Sequence, residues 1–135
     1  MKTITKEELA KKIELHQKWL RGEEEGEQLI LVGYNLSRSD LSYCNLSRSN
    51  LSRSNLSGSN LSDSDLDYSC LPLWCGSLSA HFDDRQIIQI VYHAVKAGFN
   101  SPNVSEYVKS ELRKVAGLAN RFHRVDECGR IEVGE

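Results

Sequence analysis

Leucine recurs every fifth residue without a slip, at Leu31, Leu36, Leu41, Leu46, Leu51, Leu56, Leu61, Leu66 and Leu71. Two residues before each leucine from 41 to 71 stands a small side chain: Ser39, Cys44, Ser49, Ser54, Ser59, Ser64 and Ser69. Asn or Asp precedes each leucine from 36 to 66, and Ser follows each from 36 to 61. By composition alone the stretch reads as a disordered serine/arginine tract. Composition does not keep phase, however, and this segment does. A period of five fits neither the 3.6 of a helix nor the 2 of a strand. It predicts a chain that turns a corner at each repeat and points one leucine and one small residue inward each time. The nine leucines are the expected structural core of the repeat.

With its order of small residue, Asn or Asp, Leu, polar and variable residue, the segment resembles the pentapeptide-repeat family of bacteria and phages. The resemblance spans residues 29–73, with seven complete copies in succession. It implies a mainly β solenoid with α caps: a short right-handed quadrilateral β-helix in which four repeats form one coil. Nine leucines then make about two coils. Residues twenty apart lie above one another, so Leu36 stacks on Leu56, Leu41 on Leu61, Leu46 on Leu66 and Leu51 on Leu71. Outside, Arg48 lies over Tyr68. The inward serines depart from the alanine usual in the family. They need hydrogen-bond partners, because an unpaired buried hydroxyl costs about 1–3 kcal/mol.

A stack of two coils has two open ends and needs caps. Thr5 and Glu8 form a capping box, with Ile4 and Leu9 at staple positions, so a helix starts near residue 6 and ends at Gly22. Leu9, Ile13, Leu15, Trp19 and Leu20 give it an apolar face, and His16 is expected to pack there. Beyond the repeats, Pro72 and Gly76 break the period. Asp83 and Gln86 then cap a second helix that Gly98 stops, apolar over most of its circumference. A third helix is expected over 102–118, with Pro102 at its first position. The tail "DECGRIEVGE" is expected to be partly mobile. "LANRFHRVDECGR" resembles the C-terminal extension of some phage-type family members. The expected organisation is residues 1–28 as capping helix and acidic loop, 29–73 as β-helix, and 74–135 as a C-terminal helical cap and dimerisation region.

Composition narrows the function. The net charge of −2 argues against a generic nucleic-acid or membrane-surface binder. No apolar run is long enough to span a bilayer, and the charged N-terminus lacks a signal-peptide core, so a cytoplasmic protein is expected. Asn35, Asn45, Asn50, Asn55 and Asn60, each in an N-x-S context, are then not glycosylated. Cys44, Cys70, Cys75 and Cys128 form no CxxC pair, and a metal site from Cys70, Cys75 and His81 is set aside. There is no nucleotide loop, HExxH or GxSxG. The expectation is therefore no enzyme, no cofactor, no metal and no catalytic residue.

The favoured reading is a non-enzymatic scaffold or protein-binding module, with itself as partner in a homodimer and a further protein partner unidentified. The over-apolar second helix motivates it, with Ile88, Val91, Val95, Val104, Tyr107, Val108 and Leu112 as the interface. Two alternatives stand beside it. Some longer family members look like duplex DNA and inhibit DNA gyrase, a mimicry that needs a long acidic rod. The basic residues Lys109, Arg113, Lys114, Arg121 and Arg124 offer a weak nucleic-acid contact.

Overall fold

In the computed structural model, which describes residues 1–132, Leu31, Leu36, Leu41, Leu46, Leu51, Leu56 and Leu61 are all essentially inaccessible. Each opens a tight turn. At all of them but Leu41 the N–H three residues on donates back to the leucine carbonyl, as from Ser49 to Leu46 (3.1 Å) and from Ser64 to Leu61 (3.2 Å). Leu66 opens the same turn, with Ser69 N–H donating to its carbonyl at 3.1 Å. The third residue of each turn is left-handed: Arg38, Tyr43, Arg48, Arg53, Asp63 and Tyr68 have φ of 57–61°, and Gly33 and Gly58 have 75° and 69°. This is the signature of a type II turn, in which only glycine is free of strain at that site. The Asn or Asp before each leucine stiffens the corner. Its Oδ1 accepts from the N–H two residues on, at 2.9–3.1 Å, from Asn35 through Asp65.

Four such turns bring the chain back above itself. Parallel bridges join Ile30 to Asn50, Asn35 to Asn55, Asp40 to Asn60, Asn45 to Asp65 and Asn50 to Cys70, all twenty residues apart. They are isolated bridges, and no regular strand forms among the described residues. Arg48 lies over Tyr68, with Cζ 5.4 Å from the ring centroid. Ser54, Ser59, Ser64 and Ser69 donate their hydroxyls to the carbonyl three residues back at 2.5–2.7 Å. The buried Ser49 hydroxyl has no partner among the described residues.

The five-residue rhythm ends where expected, but the pairing continues. Residues 71–82 run as a third, incomplete rung, interrupted by a short 3₁₀ turn at Cys75–Ser77. The bridge from Asn60 reaches His81, twenty-one residues on, so one extra residue has entered the register. Leu61 N–H follows it and donates to His81 O at 2.8 Å. Trp74 Nε1 donates to Ser54 O at 2.7 Å, and Ala80 and Phe82 pack on the leucine core.

At the other end α1 (Lys6–Leu20) closes the stack. Thr5 Oγ1 accepts from Glu8 N–H, and its hydroxyl donates to the Glu8 carboxylate. Leu9 is buried in the leucine core, with Ile4 and Ile13 against it. His16 is wholly buried and bridges two backbones: Leu29 N–H donates to Nδ1 (2.9 Å), so Nε2–H donates to Ser47 O (2.8 Å). Burial holds its pKa below the ordinary value of 6.5, against the opposing pull of the Ser47 carbonyl.

The chain forms two compact units, Met1–Phe82 and Asp83–Glu135. The second contains α2 (Asp84–Asn100), α3 (Glu106–Arg113), α4 (Ala116–Ala119) and α5 (Val125–Cys128). Asp83 and Gln86 form the expected capping box. Gly98 does not stop α2, which runs on to Asn100. A Cβ at Gly98 would stand 2.4 Å from Leu112 Cδ1, so the glycine admits α3. The expected helix over 102–118 is shorter. Pro102 and Asn103 form a turn, Ser105 caps α3 by accepting from Val108 N–H, and the helix breaks at Lys114 and Val115. The tail is held as far as Ile131, which is buried and bonded through both N–H (2.7 Å) and C=O (2.9 Å) to the Asn120 side chain. Val133, Gly134 and Glu135 lie outside the described residues.

Two outcomes follow from this packing. A folded-state pKa below 6.5 at His16 means that the unfolded chain takes up a proton first as pH falls. The stability advantage of the native chain over His16→Gln should be full above about pH 6.5 and shrink below it. Denaturant midpoints of both proteins across pH 5–8 check this, and a constant difference would contradict it. Gly33→Val, with open space around the new Cβ but a left-handed backbone, should cost about 1–2 kcal/mol in the same assay.

Candidate functional site

The second unit holds most residues expected to meet a partner, and its own packing decides which remain available. Tyr92, Val95, Ala116, Ala119, Phe122 and Ile131 form its core, with Ile88, Val91, Phe99, Leu112 and Val125 packed against them. Tyr92 stacks on Phe122 at 4.6 Å between centroids, and its hydroxyl donates to Gly129 O at 2.7 Å. Burial, aided by Cys128, pushes that hydroxyl's pKa up, so it stays a donor. The structure thus brings Ile88, Val91, Val95 and Leu112 together inside one chain, and Val95 is wholly covered there. Val104 is half-buried, whereas Tyr107 (72% exposed) and Val108 face solvent. Ile87, Ile90, Val115 and Leu118 are exposed as well, and the helical pattern of the sequence had not separated them from the core positions.

The basic residues are partly engaged. Lys114 pairs with Glu111 (2.8 Å) and Arg124 with Glu127 (2.8 Å), while Arg113 Cζ sits 5.7 Å from the Phe99 centroid. Such exposed pairs contribute about 0–1 kcal/mol each, but they offset the charge offered to a polyanion. Lys109 is half-buried and Arg121 exposed.

In the first unit the expected repeat core is not uniform along its length. From Leu31 to Leu61 each leucine is sealed. Leu66 still belongs to the core but is slightly open, at 6% exposed, and Leu71 is only partly buried at its edge. Leu71, the last of the nine leucines expected in the core, packs against it from the edge. The reason is the incomplete third rung, whose extra residue and 3₁₀ turn replace the leucines that would have covered the last two.

Two of the hollows on this unit are large enough to hold a small side chain or peptide. One, of about 410 Å³, is lined by Leu71, Pro72, Leu73 and Trp74 beside Met1 and Arg53. The other, of about 590 Å³, lies between α1 and the first rung, with Ile4, Leu9 and Ile13 facing Ser37, Asp40 and Cys44. In this groove the Asp40 carboxylate is held below its usual pKa by the Ser42 hydroxyl, then by the Ser42 N–H, with Lys6 adding to the effect. Burial, aided by Asp40, pushes the Cys44 thiol up. The repeat pattern carries no signal for this groove, because it depends on where α1 crosses the coil.

Cys70, Cys75 and Cys128 are exposed free thiols. No group of three or more His, Cys, Asp or Glu side chains suited to a metal occurs among the described residues. Among those residues, too, no helix is long and apolar enough to cross a membrane. Residues 31–71 match the family model for pentapeptide repeats, in eight copies. No curated protein and no solved structure matches the chain.

Asn120 is the tie on which the end of the second unit depends. Asn120→Ala leaves a buried N–H and C=O at Ile131 unpaired and should cost about 1–3 kcal/mol. Amide hydrogen exchange should speed up around Gly129–Ile131 and leave the leucine rungs unchanged; unaltered exchange at Ile131 would count against the assignment.

Proposed function

Because residues 31–71 make this chain a pentapeptide-repeat protein, we propose that it is a non-enzymatic cytoplasmic scaffold that self-associates through its helical unit. The reading takes the twenty-residue coil as a right-handed quadrilateral β-helix. The four turns in each twenty residues and the parallel register support that architecture. The coil is the framework, and the helices are the contact.

One observation carries the self-association. The second unit has a closed core of its own, yet it leaves Tyr107, Val108, Val115 and Leu118 exposed, with Ile87 and Ile90 on α2. Large apolar side chains left on so small a unit favour burial against a second copy, where a two-fold arrangement covers the same patch twice. Tyr107 and Val108 belong to the interface expected from sequence. The four residues already packed inside the chain, Ile88, Val91, Val95 and Leu112, give their place to the exposed ones.

The gyrase-mimic reading draws no support from the coil surface. Between residues 34 and 71 it carries four aspartates and three arginines, close to neutral where duplex DNA bears one charge per about 1.7 Å. Two of the five basic residues at 109–124 are paired with glutamates, which leaves the nucleic-acid reading weaker still.

Light scattering behind a sizing column should return roughly twice the 15.3 kDa chain mass. The double variant Tyr107→Glu, Val108→Lys should shift the protein to monomer with its helical circular dichroism intact. A native chain that stays monomeric at every concentration would remove the reading.

A further inference from the structure

Within the coil, every Asn or Asp position makes two bonds to the rung before it. Asn60 N–H donates to Ser39 O (2.9 Å), and Asn60 O accepts from Leu41 N–H (2.8 Å); Asn50 does the same with Leu29 and Leu31. The first rung has no rung before it, and other groups replace one. Asn35 N–H donates to Lys2 O (2.7 Å), Gln17 Nε2 donates to Asn45 O (2.9 Å), and His16 serves Ser47 O. At two corners, Ile30 and Asp40, both the N–H and the C=O lack a partner among the described residues, and Asp40 is the one that lines the 590 Å³ groove between α1 and the rung.

We infer that this groove receives an extended polypeptide segment of a partner protein, paired through its backbone with Asp40. One aliphatic side chain of the segment packs against Leu9 and Ile13. An acidic residue beside it faces Lys6 and Arg38. The groove offers one donor and one acceptor on a single residue along an edge, which is what a strand gives and takes. The chain itself fills the adjoining side in this way: Lys2 forms an isolated parallel bridge with Tyr34. Charge adds direction, because Lys6 and Arg38 stand at the groove with Asp40, whose carboxylate is already engaged by Ser42. By the geometry of the inner rungs, a Ser-Asn-Leu stretch running parallel would accept from Asp40 N–H at its serine carbonyl. It would donate to Asp40 O from its leucine N–H. The inference rests on the scaffold reading above but not on self-association, so the light-scattering result leaves it standing.

The test titrates the ¹⁵N-labelled full chain with the capped peptide acetyl-ESNLSE-amide. Amide signals of residues 36–44 and of the first half of α1 should move, and exchange at Asp40 N–H should slow by about tenfold or more at saturation. N-methylation of the peptide's leucine removes one hydrogen bond and should weaken binding about five- to tenfold. Ala10→Trp, which fills the groove from an exposed helix position, should abolish the shifts. No shift at millimolar peptide, or shifts indifferent to N-methylation, would overturn the proposal. Protection of Asp40 N–H that rises with protein concentration alone would also overturn it, because the groove would then belong to a second copy.

Discussion

The first unit depends on one register, in which the N–H of an inward leucine meets a carbonyl nineteen residues on. The distance is 2.8 Å at each of Leu31, Leu36, Leu41, Leu46 and Leu51. That bond sets each leucine over the one in the next rung, so backbone pairing and apolar burial reinforce each other. A single rung can do neither, since it has nothing to pair with and nothing to cover its leucines. Each buried leucine contributes roughly 1.5–3 kcal/mol, gained where a neighbouring rung or a capping residue such as Leu9 covers it. The strain of six non-glycine residues in the left-handed region is borne by the same cooperation.

With about two full rungs, the ends matter as much as the interior. The leading end is closed by unlike devices: a backbone bridge at Lys2, an amide at Gln17 and a neutral imidazole at His16. The trailing end is closed by the chain's own continuation, with Trp74 replacing a backbone donor by its indole N–H. Each device satisfies a group that a further rung would have met. The irregular cap reaches only part of the leading edge and leaves both backbone groups of Ile30 and of Asp40 without a partner among the described residues.

The leucine phase was legible because it needs no context: nine residues at equal spacing admit few geometries. The Asn or Asp before each leucine from 36 to 66 was visible in the same spacing, but its role as a turn stiffener emerged only from the hydrogen bonds. The caps of α1 and α2 were likewise readable at Thr5 and Asp83, where local hydrogen bonds decide the structure. What escaped was tertiary. Equal spacing makes Leu61, Leu66 and Leu71 look alike, yet their cover thins toward the trailing end because the rung beyond them is irregular. Gly98 reads as a stop because glycine usually is one, but Leu112, fourteen residues on, decides its use. The polar tail reads as mobile because the binding of Ile131 by Asn120 is invisible in a linear pattern. The helical stripe of α2 does not say which apolar residues are covered by α3 and α4 and which are left outside. The two exposed sets, Ile87 with Ile90 and Tyr107 with Val108, became distinguishable only through packing.

The twenty-one-residue step from Asn60 to His81 has a consequence for how such a chain can change length. Everything at the leading end is keyed to particular corners of the first rung, and the indole and the extra residue are keyed to particular corners of the last. Trp74 serves the carbonyl twenty residues before it, and His16 and Gln17 serve the first rung, so each cap reads only the rung it touches. One added pentapeptide would turn one end a quarter-circle about the coil relative to the other without unseating either, and four together would restore the original alignment. The coil can therefore change length corner by corner, and the number of repeats sets the direction in which its two ends face.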